Sequence, residues 1–131
     1  TLLSLINRKD YIILNISTIP IKYELILEVL SNGDFAIMPY RISPEITGSI
    51  PTKIYECMAL HIPMILPKHP PWEALCKPLA SAIFCDFDSP VKVVQQLTVT
   101  NSFYNVEPPS SIFWESQEPE LLLLIERLMP K

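Results

Sequence analysis

Gly48-Ser49-Ile50-Pro51-Thr52-Lys53-Ile54-Tyr55-Glu56-Cys57-Met58-Ala59-Leu60, running on through Ile62-Pro63-Met64-Ile65-Leu66-Pro67, is the stretch that decides the fold. A loop with one glycine and a proline opens a helix, and a short apolar strand follows almost at once. Proline belongs in a first helical turn, where its missing N–H costs little. Lys53 and Glu56, three apart, fall on one face beside the amino end of that helix. The free N–H groups and the positive dipole end there suit a phosphate. A cation and an acceptor for ribose hydroxyls next to that seat point to a nucleotide diphosphate.

Working outward, strands and helices alternate. Residues 2–7 read as the tail of a helix and 8–10 as a turn, followed by the β-rich run Tyr11-Ile12-Ile13-Leu14-Asn15-Ile16 of the buried parallel type. After a loop at 17–20, Tyr23, Ile26, Val29 and Leu30 recur at helical spacing over 22–32, with Gly33 at the C-cap. A strand is expected over 35–40, a loop over 41–49, the helix over 51–60 and a strand over 62–66. Residues 67–71 form a Pro-rich connector, and 72–80 a short helix that Pro78 interrupts. A strand over 82–87 leads to a helix over 90–97, capped by Asp88 or Ser89. Then come an extended loop over 101–111 and a closing helix over about 118–129, whose run Leu121 to Ile125 requires burial. This order is that of a doubly wound, Rossmann-like parallel sheet of about four strands with flanking helices. Ligands bind such sheets at the carboxyl ends of the strands, so the loops at 17–20 and 41–50 should line one cleft.

Composition narrows the function classes. The 131 residues make one small domain, 49% hydrophobic and 18% charged, hence globular. A net charge of -4 and ten scattered basic residues argue against nucleic-acid binding. Gly33 and Gly48 are the chain's two glycines, which excludes both GxGxxG and GxxxxGK[ST]. Cys57, Cys76 and Cys85 are widely spaced and read as small buried hydrophobes of a reducing compartment. His61 and His69 form no metal-ligand spacing with them. No apolar run reaches the length of a membrane span, and Arg8-Lys9-Asp10 breaks a signal-peptide pattern. A cytoplasmic location follows as the expectation, with the membrane surface open to a longer protein. The chain begins at Thr1 without methionine and reads as a single truncated domain over residues 1–131.

Three segments together resemble a known family. Asp34-Phe35-Ala36-Ile37-Met38-Pro39-Tyr40-Arg41, the Gly48 to Leu60 motif and Ile62-Pro63-Met64-Ile65 are similar to the carboxyl-terminal domain of GT-B glycosyltransferases of the glycosyltransferase 4 type. Phe113-Trp114-Glu115 and the closing helix resemble that domain's end. The resemblance covers roughly residues 11–129. It implies a nucleotide-sugar-binding domain in which Glu56 accepts hydrogen bonds from the donor ribose. A carboxylate takes two hydroxyl donors with charge-assisted strength. Gly48, Ser49, Ile50, Thr52, Lys53 and Arg41 would surround the donor diphosphate, with backbone N–H groups at the Ser49 to Pro51 end approaching it. Ser17, Thr18 and Ile19 would face the base. The implied reaction is a retaining transfer of a hexose-like sugar from a UDP- or GDP-linked donor to a glycan or lipid-linked acceptor, as in polysaccharide biosynthesis. No metal or other cofactor is implied, the nucleotide sugar being the substrate.

The departures define the rival reading. Where the family commonly carries a second glutamate, eight positions before Glu56, this chain has Gly48, with Glu45 nearby. The family's basic pair and acceptor-binding domain have no counterpart, and no catalytic residue is assigned. The isolated chain is therefore not expected to turn over, and a noncatalytic remnant or binding module of the same fold is the alternative. A signalling domain of the response-regulator kind would want an acidic cluster after the first strand, where Asn15-Ile16-Ser17 stands instead. Structural readings accompany the functional ones. Ile54, Cys57 and Met58 are core, Trp72 a packing anchor, Trp114 structural, His61 a left-handed helix cap, and Gly48 a residue needed for backbone shape.

Overall fold

The computed structural model describes residues 18–100 and 102–129. It is an α/β structure with a parallel three-stranded sheet in the order β1-β2-β3, where β1 is Ala36–Ile37, β2 Met64–Pro67 and β3 Ala82–Cys85. Ala36 stands opposite Met64, and Met64 opposite Ala82. The helices are α1 (Tyr23–Ser31), α2 (Pro44–Thr47), α3 (Thr52–Ala59), α4 (Pro70–Cys76), α5 (Pro90–Val99) and α6 (Trp114–Leu128). Single 3₁₀ turns lie at Lys77–Leu79 and Ser110–Ile112.

The core sits around β2. Met64, Ile65 and Leu66 are all buried, as a central strand covered on both faces requires, which is why this strand is a continuous apolar run and not an alternation. α3 lays Ile54, Cys57 and Met58 against it, residues three and four apart on one helical face. α4 adds Trp72 and Cys76, one turn apart and fully buried. Pro78 has no N–H to continue α4, so the chain tightens into the 3₁₀ turn after Cys76.

Two left-handed residues close these helices. His61 (φ 54) follows α3, with the Ile62 N–H donating to Cys57 O at 2.8 Å and the His61 N–H to Met58 O at 3.2 Å. That pair of reversed bonds is the Schellman pattern, and the His61 reading holds. Ala80 (φ 50) repeats it, with Ser81 N–H to Cys76 O at 3.2 Å and Ala80 N–H to Lys77 O at 3.1 Å. A third left-handed residue, Tyr104 (φ 51), ties both caps together. Its N–H donates to Ala80 O, while its hydroxyl shares a proton between Ile62 O (2.9 Å) and Cys57 O (3.2 Å). The Tyr104 ring lies against His61, whose Nε2 meets Glu107 Oε2 at 2.9 Å. One loop thus locks two helix ends.

The structure differs from the sequence reading in several places. Three strands are present among the described residues, and the expected strand over 11–16 lies outside them, as do the helix tail at 2–7 and Ser17. Residues 41–49 are not all loop, because Pro44 starts the one-turn helix α2. The helix end before Gly33 is capped by Asn32, whose side chain donates to Glu28 O at 2.8 Å; neither glycine has positive φ. The closing helix starts at Trp114, four residues early, and buries none of its residues. Leu121 to Ile125 stay exposed, and Trp114 is 63% exposed and no packing anchor. The sequence reading supplied an apolar run and inferred its burial, but among the described residues no element packs over that run.

Candidate functional site

The amino end of α3 is held in place from beneath. Trp72 is fully buried, and its Nε1–H donates to Ser49 O at 2.8 Å. Tyr40 and His69 meet the Trp72 ring edge-on, at 5.6 and 4.8 Å between centroids. Trp72 is therefore the packing anchor the sequence suggested, and it anchors the loop that leads into α3. Ile50 packs against the same core.

Which backbone donors remain open follows from the hydrogen bonds already made. The Ser49 N–H and its hydroxyl both donate to Ile46 O, at 3.0 and 3.2 Å. Ser49 is thus occupied, contrary to its expected place among the phosphate donors. Pro51 is the N-cap and has no N–H, and no side chain caps the helix. The Ile54 N–H reaches Pro51 O at 3.0 Å. The N–H groups of Ile50, Thr52 and Lys53 make no hydrogen bond among the described residues. These three are the helix-end donors an anion could use.

Gly48 needs a different account from the expected one. Its φ of −94° is open to any residue, and a Cβ there would meet nothing within 4 Å. Backbone shape does not require glycine; the space beside it is simply vacant. Arg41 is exposed and makes no ion pair among the described residues. Glu45, on α2, is engaged locally: the Ser43 hydroxyl and its own backbone N–H hold its carboxyl below the usual carboxylate range. Asp86 folds back to accept from the Asp88 N–H at 3.0 Å, and Ser89 holds the N-cap position of α5 without a side-chain bond. Among the described residues no group of three or more His, Cys, Asp or Glu could hold a metal.

Glu56 stands out. The Tyr23 hydroxyl, from the first residue of α1, donates to its Oε1 at 3.2 Å. Its Oε2 is buried and has no hydrogen-bond partner among the described residues. A buried acceptor left unpaired costs about 1–3 kcal/mol. Partial burial and the Glu56 carboxylate together push the Tyr23 phenol above its ordinary range. The sequence reading placed Tyr23 among the apolar positions of α1 and missed this contact, which joins residues 33 apart. Lys53, one turn before Glu56, is exposed and makes no ion pair with it.

Behind this helix face lies a cavity of about 640 Å³ between α1, β1 and α3. Ile21, Leu25, Val29, Ile37 and Met38 line it, and Lys53 is the charged residue of its lining. Of the expected base loop, Thr18 and Ile19 are exposed. Cys57, on the inner face of α3, is a core thiol whose pKa burial and the Glu56 carboxylate push up to about 11. It is therefore a poor nucleophile at neutral pH.

Kinship offers no shortcut to this site. No family model matches the chain, and neither a curated protein nor a solved structure does. No helix among the described residues is long and apolar enough to cross a membrane.

Proposed function

We propose that this chain is the donor-nucleotide-binding part of a retaining glycosyltransferase, with the ribose at Glu56 and the diphosphate at the amino end of α3. The observation that carries the reading is the Glu56 carboxylate, whose exposed Oε1 meets the Tyr23 hydroxyl on the same helix as the unbonded N–H groups of Thr52 and Lys53. The carboxylate stands about one turn from Thr52 and Lys53, whose N–H groups, like that of Ile50 just before the helix, make no hydrogen bond among the described residues. Ribose hydroxyls would bond Glu56 at the exposed Oε1, where the Tyr23 hydroxyl now donates, and the helix end would carry the diphosphate charge. In a complete enzyme that same helix end would stabilise the charge developing on the leaving diphosphate, an electrostatic contribution present before the reaction begins. The sugar acceptor would be a glycan or a lipid-linked acceptor held elsewhere in such an enzyme.

A second reading is a binding module of the same fold without chemistry. The occupied Ser49 N–H favours it, since it removes one of the expected phosphate donors. Thermal unfolding with UDP, GDP or ADP in excess, EDTA present, tests nucleotide binding in either case. A ligand at about 100 times its dissociation constant adds roughly 2.7 kcal/mol to the folded state. A stabilising shift with one nucleotide, absent in Glu56→Ala, supports the ribose assignment. A shift that survives Glu56→Ala would remove it.

A further inference from the structure

Helix α6 carries its apolar residues in a pattern with a direction. Trp114, Leu121, Leu124 and Leu128 recur at spacings of seven, three and four, the a and d positions of a heptad, and all four are exposed. Gln117 fills the remaining d position. Glu120 and Arg127 take successive g positions beside that stripe, opposite in sign and seven residues apart. Neither makes an ion pair among the described residues. Pro119, poorly suited to a helix interior, falls at f on the far side. From this arrangement we propose that α6 is a homodimer interface, pairing antiparallel with α6 of a second copy of this chain.

The charges select the occupant. Turning one helix over about a two-fold axis sets the g flank of each copy beside the g flank of the other. With Leu121 of one copy facing Leu124 of the second, Glu120 then meets Arg127 of the second copy, and Arg127 meets its Glu120. Side chains lean toward the amino end of their own helix, so in reversed copies these two lean toward each other. Parallel helices would instead set g beside e, placing Glu120 against Ile125 with no ion pair gained. A contact in which each residue's partner is returned by symmetry closes as a dimer. Burial of Leu121, Leu124 and Leu128 on both copies drives the association, and the ion pairs fix its direction. The proposal stands on α6 alone and is independent of the nucleotide site.

Sedimentation velocity of the whole chain, at concentrations from about 1 μM to about 1 mM, is the test. Wild type should pass from monomer to dimer over that range. Glu120→Arg sets two cations together at each end of the contact, and Arg127→Glu two carboxylates. Each variant alone should therefore raise the dimer dissociation constant roughly tenfold or more. An equimolar mixture of the two variants should recover wild-type association, because every g pair is again of opposite sign. That recovery also shows that both variants fold. Leu124→Ser should weaken the dimer by roughly tenfold or more, and Leu122→Ser, at b, by less than about twofold. A monomer throughout overturns the proposal and assigns the stripe to a different protein or to another segment of this chain. A dimer indifferent to Leu124→Ser, or one that mixing does not restore, overturns it equally.

Discussion

Two regions of this molecule obey different rules. The segment from Ile54 to Cys85, which holds α3, β2, α4 and β3, contributes twelve of the fourteen buried hydrophobic residues among the described residues, including Trp72, Met64 and Leu66 with no exposure. Helices α1 and α6, at the two flanks, bury none. Both regions are equally apolar to the eye: Leu121-Leu122-Leu123-Leu124-Ile125 is as greasy as Met64-Ile65-Leu66. What separates them is a partner on both sides. The comparison teaches that an apolar run states what a segment would gain from burial, and not that the burial takes place. It also locates the candidate site, since Glu56 and Tyr23 lie on the seam between the packed centre and the α1 flank.

The comparison breaks first at Trp72. Truncation to Ala leaves a large cavity and strips the donor from Ser49 O, so Trp72→Ala should cost about 3–5 kcal/mol and distort the entry to α3. Equilibrium urea unfolding measures it, and a loss under 1 kcal/mol would mean the centre is not the stabilising unit. Tyr104→Phe comes next. It deprives the carbonyls of Ile62 and Cys57 of their shared donor where two helix caps meet, for an expected loss of about 1–3 kcal/mol in the same assay.

Titration sharpens the contrast from another side. Burial raises the Cys57 thiol from its ordinary 9.0 to about 11 and also raises Cys76 and Cys85. The unfolded chain therefore loses these protons first as the solution becomes alkaline. Their contribution to stability is complete below pH 9 and is lost as pH rises through 9 to 11. Melting temperature should fall over that interval. Native Cys57 should react slowly with a disulfide reagent at pH 8, and at the ordinary rate in urea. Fast native labelling would place Cys57 outside the core.

The smallest effect is expected at the flank. Leu123→Ser on α6 removes no buried contact and should change stability by less than about 0.5 kcal/mol. A loss of 2 kcal/mol would show that α6 is covered after all and would erase the contrast.

How much of this was legible in the sequence depends on the range of the interaction. Pattern and local chemistry showed β2 and β3 within a residue or two, the helix α3, the left-handed His61 and the stop at Pro78. Each of these is decided within one turn or one strand. Trp72 as an anchor was legible from its size and its Pro-rich approach, though its bond to Ser49 was not. Tyr104 left no trace, because a tyrosine in a loop gives no period and its partners lie more than forty residues away. Tyr23 was visible as a helical position, but its hydroxyl contact to Glu56 depends on how α1 meets α3. Ser49 misled for a related reason: the one-turn helix α2, unseen in the sequence, supplies the carbonyl that occupies its N–H. Gly48 misled by its type, since nothing in the backbone there demands glycine.

Amide hydrogen exchange, resolved by residue, in the presence and absence of UDP, GDP or ADP tests the nucleotide site most directly. The account predicts that one of these nucleotides slows exchange at Ile50, Thr52 and Lys53, the open donors at the head of α3. It also predicts that Glu56→Ala abolishes the effect, while the buried amides of β2 are unchanged. Protection that appears elsewhere, or at α3 equally in Glu56→Ala, would contradict a nucleotide held by its ribose at Glu56 and its diphosphate at the helix end.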